Sequence, residues 1–321
     1  MEKTKIEEQQ RTFFLSISPH LKDKLTVSRL MWDVIIALIP AIGVSIYFFR
    51  LRAVELILTC VFVSIISEYV FLKLRGKELP KENSALLTGI LLALVLPPNL
   101  PLWAAAMGAV FAIIFGKQIF GGLGYNIFNP ALIGRAFLMA TFPVLMTTWA
   151  LPFTLDVLTG ATPLGLMKFQ SELITRTTPL SALFWGNVSG SLGETSAFAL
   201  LIGAAYLFIR KCIDWRIPFF YLATVVVFSG LIFLFTPTSG SPIFHLLAGG
   251  LILGAFFMAT DPVTTPVSKK GRMIFGIGAG VLVMVIRLWG GYAEGVMFSI
   301  IFMNAITPLL NRYTKPRILG G

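Results

Sequence analysis

The sequence predicts an all-α polytopic membrane protein of about ten transmembrane helices. Three observations carry this: apolar runs recur from Leu30 to Leu310, charge is scarce, and basic residues gather between the runs. Of the 321 residues, 56% are hydrophobic and only 13% charged, with a mean hydropathy of +0.83. A surface facing water is about 25–35% charged, so lipid is the solvent for most of this chain. The net charge of +11 would suggest a nucleic-acid partner in a soluble protein. Here it sits in short connections, as the positive-inside rule requires, and no nucleic-acid motif accompanies it. Two cysteines, Cys60 and Cys212, and two histidines, His20 and His245, are too few to hold a structural zinc, an iron–sulfur cluster or a haem. No metal is therefore expected, and redox chemistry requires a cofactor held by other means.

A membrane helix needs about 20 apolar residues to cross roughly 30 Å of hydrocarbon. Ten runs qualify in the sequence: 30–49, 53–72, 84–96, 102–116, 131–149, 196–209, 217–236, 243–259, 273–289 and 293–310. The third is short, its end set by Pro97 and Pro98. With residues 1–29 in the cytoplasm, the inner segments carry 20 Lys and Arg, against Arg50, Arg52, Lys168 and Arg176 outside. That asymmetry puts both termini inside and the longest connection, 150–195, on the outer face. The expected organisation is an N-terminal segment (1–29), a five-helix half (30–149), the outer loop (150–195), a second five-helix half (196–311) and a tail (312–321). Five spans per half reverse the second half's orientation, the signature of an inverted repeat. Faint likeness supports it: Leu86-Leu87-Thr88-Gly89 recurs as Leu246-Leu247-Ala248-Gly249, and Phe120-Gly121-Gly122 as Trp289-Gly290-Gly291.

Three stretches carry candidate chemistry. The outer loop holds Asp156-Val157-Leu158-Thr159-Gly160-Ala161-Thr162-Pro163, where Gly160 and Ala161 are small and Pro163 keeps Thr162 out of a helix interior. An ordinary turn explains this; an exposed, extended segment offering the Thr162 hydroxyl to a modifying enzyme also does. On the inner face, Asn129-Pro130 reads as a helix N-cap, preceded by Gly121-Gly122-Leu123-Gly124-Tyr125-Asn126. The amides of Asn126 and Asn129 also suit the polar edge of a flat ligand. The third stretch, Thr260-Asp261-Pro262, is a helix stop on the same face. Among charges near spans, Asp33, Glu55 and Glu68 lie close enough to span ends to reach headgroup water. Arg135 lies near an inner edge, placed to serve either the pocket on that face or the lipid headgroups, whereas Arg287 lies deep in its span and needs a partner: Glu294, or a phosphate.

The stretch from Asp156 to Thr162 resembles the flavinylation motif of the D subunit of Rnf complexes and of the related B subunit of the sodium-translocating NADH:quinone reductase. The resemblance runs along essentially the whole chain, and the short N-terminal stretch favours the Rnf side. It implies FMN joined through its phosphate to Thr162 by a flavin transferase that reads Asp156, Thr159, Gly160 and Ala161. The segments around Asn126, Asn129 and Asp261 are similar to the place where the quinone-reductase relative holds a noncovalent riboflavin. Also implied are a fold similar to urea and ammonium channels, a bacterial inner-membrane location and the A, B, C, E and G subunits of an Rnf complex as partners. Ferredoxin and NAD would be handled by those partners, and Na⁺ or H⁺ would be driven outward. Thr162 would then be an anchor, with no catalytic acid, base or nucleophile in the chain. The competing expectation is a small-solute channel or secondary transporter without a redox cofactor.

Overall fold

The computed structural model describes residues 26–77, 82–153, 159–169, 179–236 and 239–315. Helix α1 (Val27–Phe49) starts at Thr26, whose hydroxyl accepts the Arg29 N–H at 3.3 Å. A one-residue turn at Arg50 leads into α2 (Leu51–Leu74). Helix α3 (Ser84–Leu94) stops short of Pro97 and Pro98, which lack the N–H that a continuing helix needs. After Pro101, α4 (Leu102–Ile113) runs on as a π-helical turn, Ile114–Gln118. Helix α5 (Pro130–Thr141) gives way to the short α6 (Pro143–Thr147).

A two-residue ladder opens the central connection, β1 (Trp149–Ala150) pairing antiparallel with β2 (Thr159–Gly160). Two short helices follow, α7 (Pro163–Phe169) and α8 (Leu180–Trp185). The second half consists of α9 (Ala197–Ile209), α10 (Arg216–Phe235), α11 (Pro242–Leu247), α12 (Leu251–Leu253, with a π turn Gly254–Met258), α13 (Lys269–Trp289) and α14 (Val296–Tyr313).

Each of the ten expected apolar runs contains helix. Among the described residues, four helices, α1, α2, α10 and α13, are by themselves long and apolar enough to cross a membrane. The shorter apolar helices are α3, α4 with its π turn, α5 and α9. Two runs read as single spans are broken. Pro143 separates α5 from α6, and Gly249 and Gly250 adopt φ of 62° and 51° between α11 and α12. Apolar content does not report backbone angles, so both breaks were invisible to a hydropathy reading.

In lipid, helices associate through close packing rather than apolar burial alone. Helix α2 lies against α3 and α4, and α4 against α5; correspondingly α10 lies against α11 and α13, and α13 against α14. Helix α1 packs on α9, where Gly203 leaves no room for a side chain beside the Ala37 carbonyl. The order of neighbours thus recurs between halves. One of the two sequence matches does not share a conformation, since Gly89 is helical and Gly249 sits in the break. A single buried cluster joins the halves, with Leu92, Leu94 and Leu96 from the first and Leu251, Leu253 and Phe275 from the second.

The end of the connection expected to be an outer loop returns into that core. Residues 188–197 are all buried. The Leu192 N–H donates to the Leu96 carbonyl at 3.1 Å, and the Ser45 hydroxyl donates to the Leu192 carbonyl at 2.6 Å. Two carboxylates expected at headgroup water are buried instead. Asp33 accepts from the Tyr206 hydroxyl at 3.0 Å and from Arg210, and Glu68 accepts from Lys117 Nζ at 2.5 Å and Gln118 Nε2 at 2.6 Å. Distance to a span end was the wrong criterion, because both partners come from remote segments. Glu55 is exposed beside Arg52, as its position suggested.

Candidate functional site

Two cavities gather the candidate residues, one at Thr162 and one at Asn126. Asp156 lies outside the described residues, as does the side chain of Thr159. Gly160 sits at the end of β2, against the Ser189 hydroxyl, and Ala161 is exposed. Thr162 itself is buried, with 6% of its surface exposed, contrary to the expectation of an accessible segment. The reason is the helix that Pro163 starts: Leu164 and Met167 pack on Leu183, Val188, Phe244 and Ala248, which draws Thr162 inward. Its Oγ1 accepts the Gly165 N–H at 3.1 Å. Lys168, one turn on, donates to the carbonyls of Ile286, Gly290 and Tyr292, fastening α7 to the end of α13. The hydroxyl borders a cleft with about 280 Å³ of empty space, walled by Ser189, Gly190, Glu194, Gly249 and Glu294.

Arg287 stands behind this cleft. It does not pair with Glu294; its guanidinium donates to the carbonyls of His245 at 2.6 Å and of Ala248 and Gly249 at 2.9 Å. The break between α11 and α12 leaves those carbonyls without helical donors, and a cation satisfies them. Glu294 is held by Arg135 at 2.7 Å, and Glu194 lies 3.6 Å from the same guanidinium. Arg135 therefore serves a buried interior cluster, not an inner edge. Burial, reinforced by the Glu294 carboxylate, pushes the Glu194 carboxyl up to about 7.

The second cavity lies between the halves. It has about 680 Å³ of empty space, the solvent at its mouth included. Its walls are chiefly apolar, with Leu91, Phe256 and Phe257 among them, and its polar groups include Asn126, Asn129, Thr88 and Asp261. Asn129 caps α5 as expected, its Oδ1 accepting from Ala131 N–H at 3.0 Å, while its Nδ2 reaches the Met258 carbonyl at 3.4 Å. Asn126 donates to the Phe128 carbonyl at 3.2 Å, and its Oδ1 is buried without a partner among the described residues. An orphaned buried acceptor is costly, about 1–3 kcal/mol, and marks a place where a donor belongs. Asp261 accepts the Val263 N–H at 3.2 Å, and burial pushes its carboxyl up to about 6.

A family model for NQR2, RnfD and RnfE matches residues 14–320. The chain belongs to this family. Relatives agree along nearly their whole length. One is the D subunit of the Na(+)-translocating ferredoxin:NAD(+) oxidoreductase complex of Acetobacterium woodii, 47% identical over 95% of both chains. The D subunit of the proton-translocating ferredoxin:NAD(+) oxidoreductase complex of Clostridium ljungdahlii is 44% identical over 97% of both. The D subunit of the ion-translocating oxidoreductase complex of Escherichia fergusonii is 38% identical over 96% of this chain and 98% of its own. Within this family member, the sequence reading missed the Arg135–Glu194–Glu294 cluster and the Lys117–Glu68 pair. The cluster's members are at least 59 residues apart and on three segments. Their only common signal was charge without an evident partner.

Proposed function

We propose that this chain is the flavin-bearing membrane D subunit of an Rnf-type complex, coupling electron transfer from ferredoxin to NAD⁺ with outward movement of Na⁺ or H⁺. The observation that carries it is the Thr162 hydroxyl at the border of a cleft, in an Asp-x-x-Thr-Gly-Ala-Thr context, within a full-length family match. FMN joined there through its phosphate supplies one-electron redox chemistry. The chain's own part is placement. Helix α7 positions the anchor, Lys168 fixes α7 to α13, and Ser189 offers a hydroxyl across the cleft. Because Thr162 is buried and engaged with Gly165, attachment by a flavin transferase takes place with α7 lifted from its seat.

The inner cavity supports a second, noncovalent riboflavin. The unpartnered Asn126 Oδ1 would accept from a flavin N–H, Asn129 and Asp261 would border the ring edge, and Phe256 and Phe257 would offer apolar contact. The remaining features of the reading are a ten-segment inverted repeat in a bacterial inner membrane, both termini cytoplasmic, the Thr162 cleft facing outward, and the A, B, C, E and G subunits as partners. Electrons would reach Thr162 from a flavoprotein partner and leave towards partners that handle ferredoxin and NAD. In-gel flavin fluorescence after denaturation tests the anchor: it should be present in the wild type and lost in Thr162→Val. Full fluorescence in that variant would move the anchor elsewhere, and none in either would favour a channel without a redox cofactor.

A further inference from the structure

Glu194 is nine-tenths buried, and its Oε1, 3.6 Å from Arg135, has no hydrogen-bond partner among the described residues. The atom sits against the Cα of Gly250, where an added Cβ would come within 2.6 Å. Glu294 shares the same guanidinium, and its own Oε1 is also unpartnered. Arg135 thus faces two carboxylates with one positive charge. Arg287, the next cation, is committed to three carbonyls. His245 on α11 and Tyr221 on α10 are within electrostatic reach of that arginine. Like charges at close range in a dry site do not both persist, and two carboxylates against one guanidinium favour retention of one proton. These carboxylates and the Thr162 hydroxyl wall one cleft.

We propose that the Arg135–Glu194–Glu294 cluster is a proton-binding site that fills when negative charge arrives in the Thr162 cleft. The redox half of this rests on the flavin assignment at Thr162; the proton site itself does not. One electron from a reduced one-electron carrier of a partner subunit would add one negative charge to a flavin held there. The Glu194 carboxylate takes one proton from the water at the cleft mouth and becomes a neutral carboxylic acid, so the net charge of the cleft is unchanged. Reoxidation reverses both. The Arg135 guanidinium between the carboxylates makes this a poor site for a metal cation and leaves one negative charge for a proton to neutralise.

Infrared spectroscopy of the intact complex in lipid, titrated in pH, tests the site. A protonated-carboxyl carbonyl band should titrate near neutral pH, be lost in Glu194→Gln, and persist in Thr162→Val, which lacks the anchor. Should Glu194→Gln fail to assemble, Glu294→Gln serves, with the band shifted in its titration. Redox titration adds the coupling: the potential of the Thr162-linked centre should fall with rising pH in the wild type and lose that slope in Glu194→Gln. Absence of a titrating band, its survival in Glu194→Gln, or its removal by Na⁺ at constant pH would overturn the proton site. A band that behaves as expected beside a pH-independent potential would overturn the coupling alone.

Discussion

Thr162 combines two roles that compete for one oxygen. As the cap of α7 its Oγ1 accepts the Gly165 N–H, and as an anchor the same oxygen carries a phosphoester. A cap of this kind contributes about 1 kcal/mol, so Thr162→Val should cost little stability while eliminating the covalent flavin. Thermal unfolding beside in-gel fluorescence separates the effects; a collapse of assembly in this variant would mean that Thr162 is structural first. At the inner cavity, Asn126→Ala should reduce the noncovalent flavin recovered by extraction and leave stability nearly unchanged or improved, because it removes an orphaned buried acceptor. Asn129→Ala should instead destabilise by about 1 kcal/mol through loss of the α5 cap. The sequence distinguished these two asparagines only partly. The Asn-Pro pair announced a cap, whereas nothing local indicated that Asn126 Oδ1 would be left without a donor among the described residues.

At the scale of elements, buried charge pairs tie the helices together. Lys117, in the π turn after α4, spans to Glu68 on α2 and to Ser84 at the start of α3. Lys117→Met should destabilise by about 3–5 kcal/mol, since it strands a carboxylate away from water. The double variant Glu68→Leu/Lys117→Leu should recover most of that loss in thermal unfolding; equal damage from single and double changes would contradict the pairing. A second tie joins the N-terminal ends of α10 and α13, where Asp214 accepts from Arg216 at 2.9 Å and from Arg272 at 2.6 Å. Partial burial alone would raise the Asp214 carboxyl, but the Arg216 backbone N–H and the two guanidiniums outweigh it and hold the carboxyl below its ordinary value. A depressed folded-state value stabilises the fold above the unfolded carboxyl value of about 3.9 and loses that stability as pH falls through the folded value. Asp214→Asn should therefore lower the unfolding temperature near neutral pH and make no difference in acid. Helix positions were legible from apolar runs and prolines. The breaks at Pro143 and at Gly249–Gly250, and the dive of residues 188–197 into the core, were not, because they depend on what the opposite half supplies.

Across the whole molecule, the two halves meet around the Arg135 cluster and the cavity at Asn126, with the candidate sites at the junction. Membrane character and family were legible from composition and one motif. The interior was not, since Arg135, Glu194 and Glu294 acquire meaning only when three distant segments converge. Orientation has a direct test. With Cys60 and Cys212 replaced, a cysteine at exposed Ala161 should react with a membrane-impermeant maleimide added to intact cells lacking an outer barrier. Labelling only after the membrane is opened would invert the assigned topology. The central claim, a flavin esterified to Thr162, is met most directly by mass spectrometry of the subunit purified from cells that contain the complex and its flavin transferase. The expected result is a Thr162 peptide heavier by one FMN less water, with fragment ions that place the adduct on that residue. The same peptide found wholly unmodified would contradict the account.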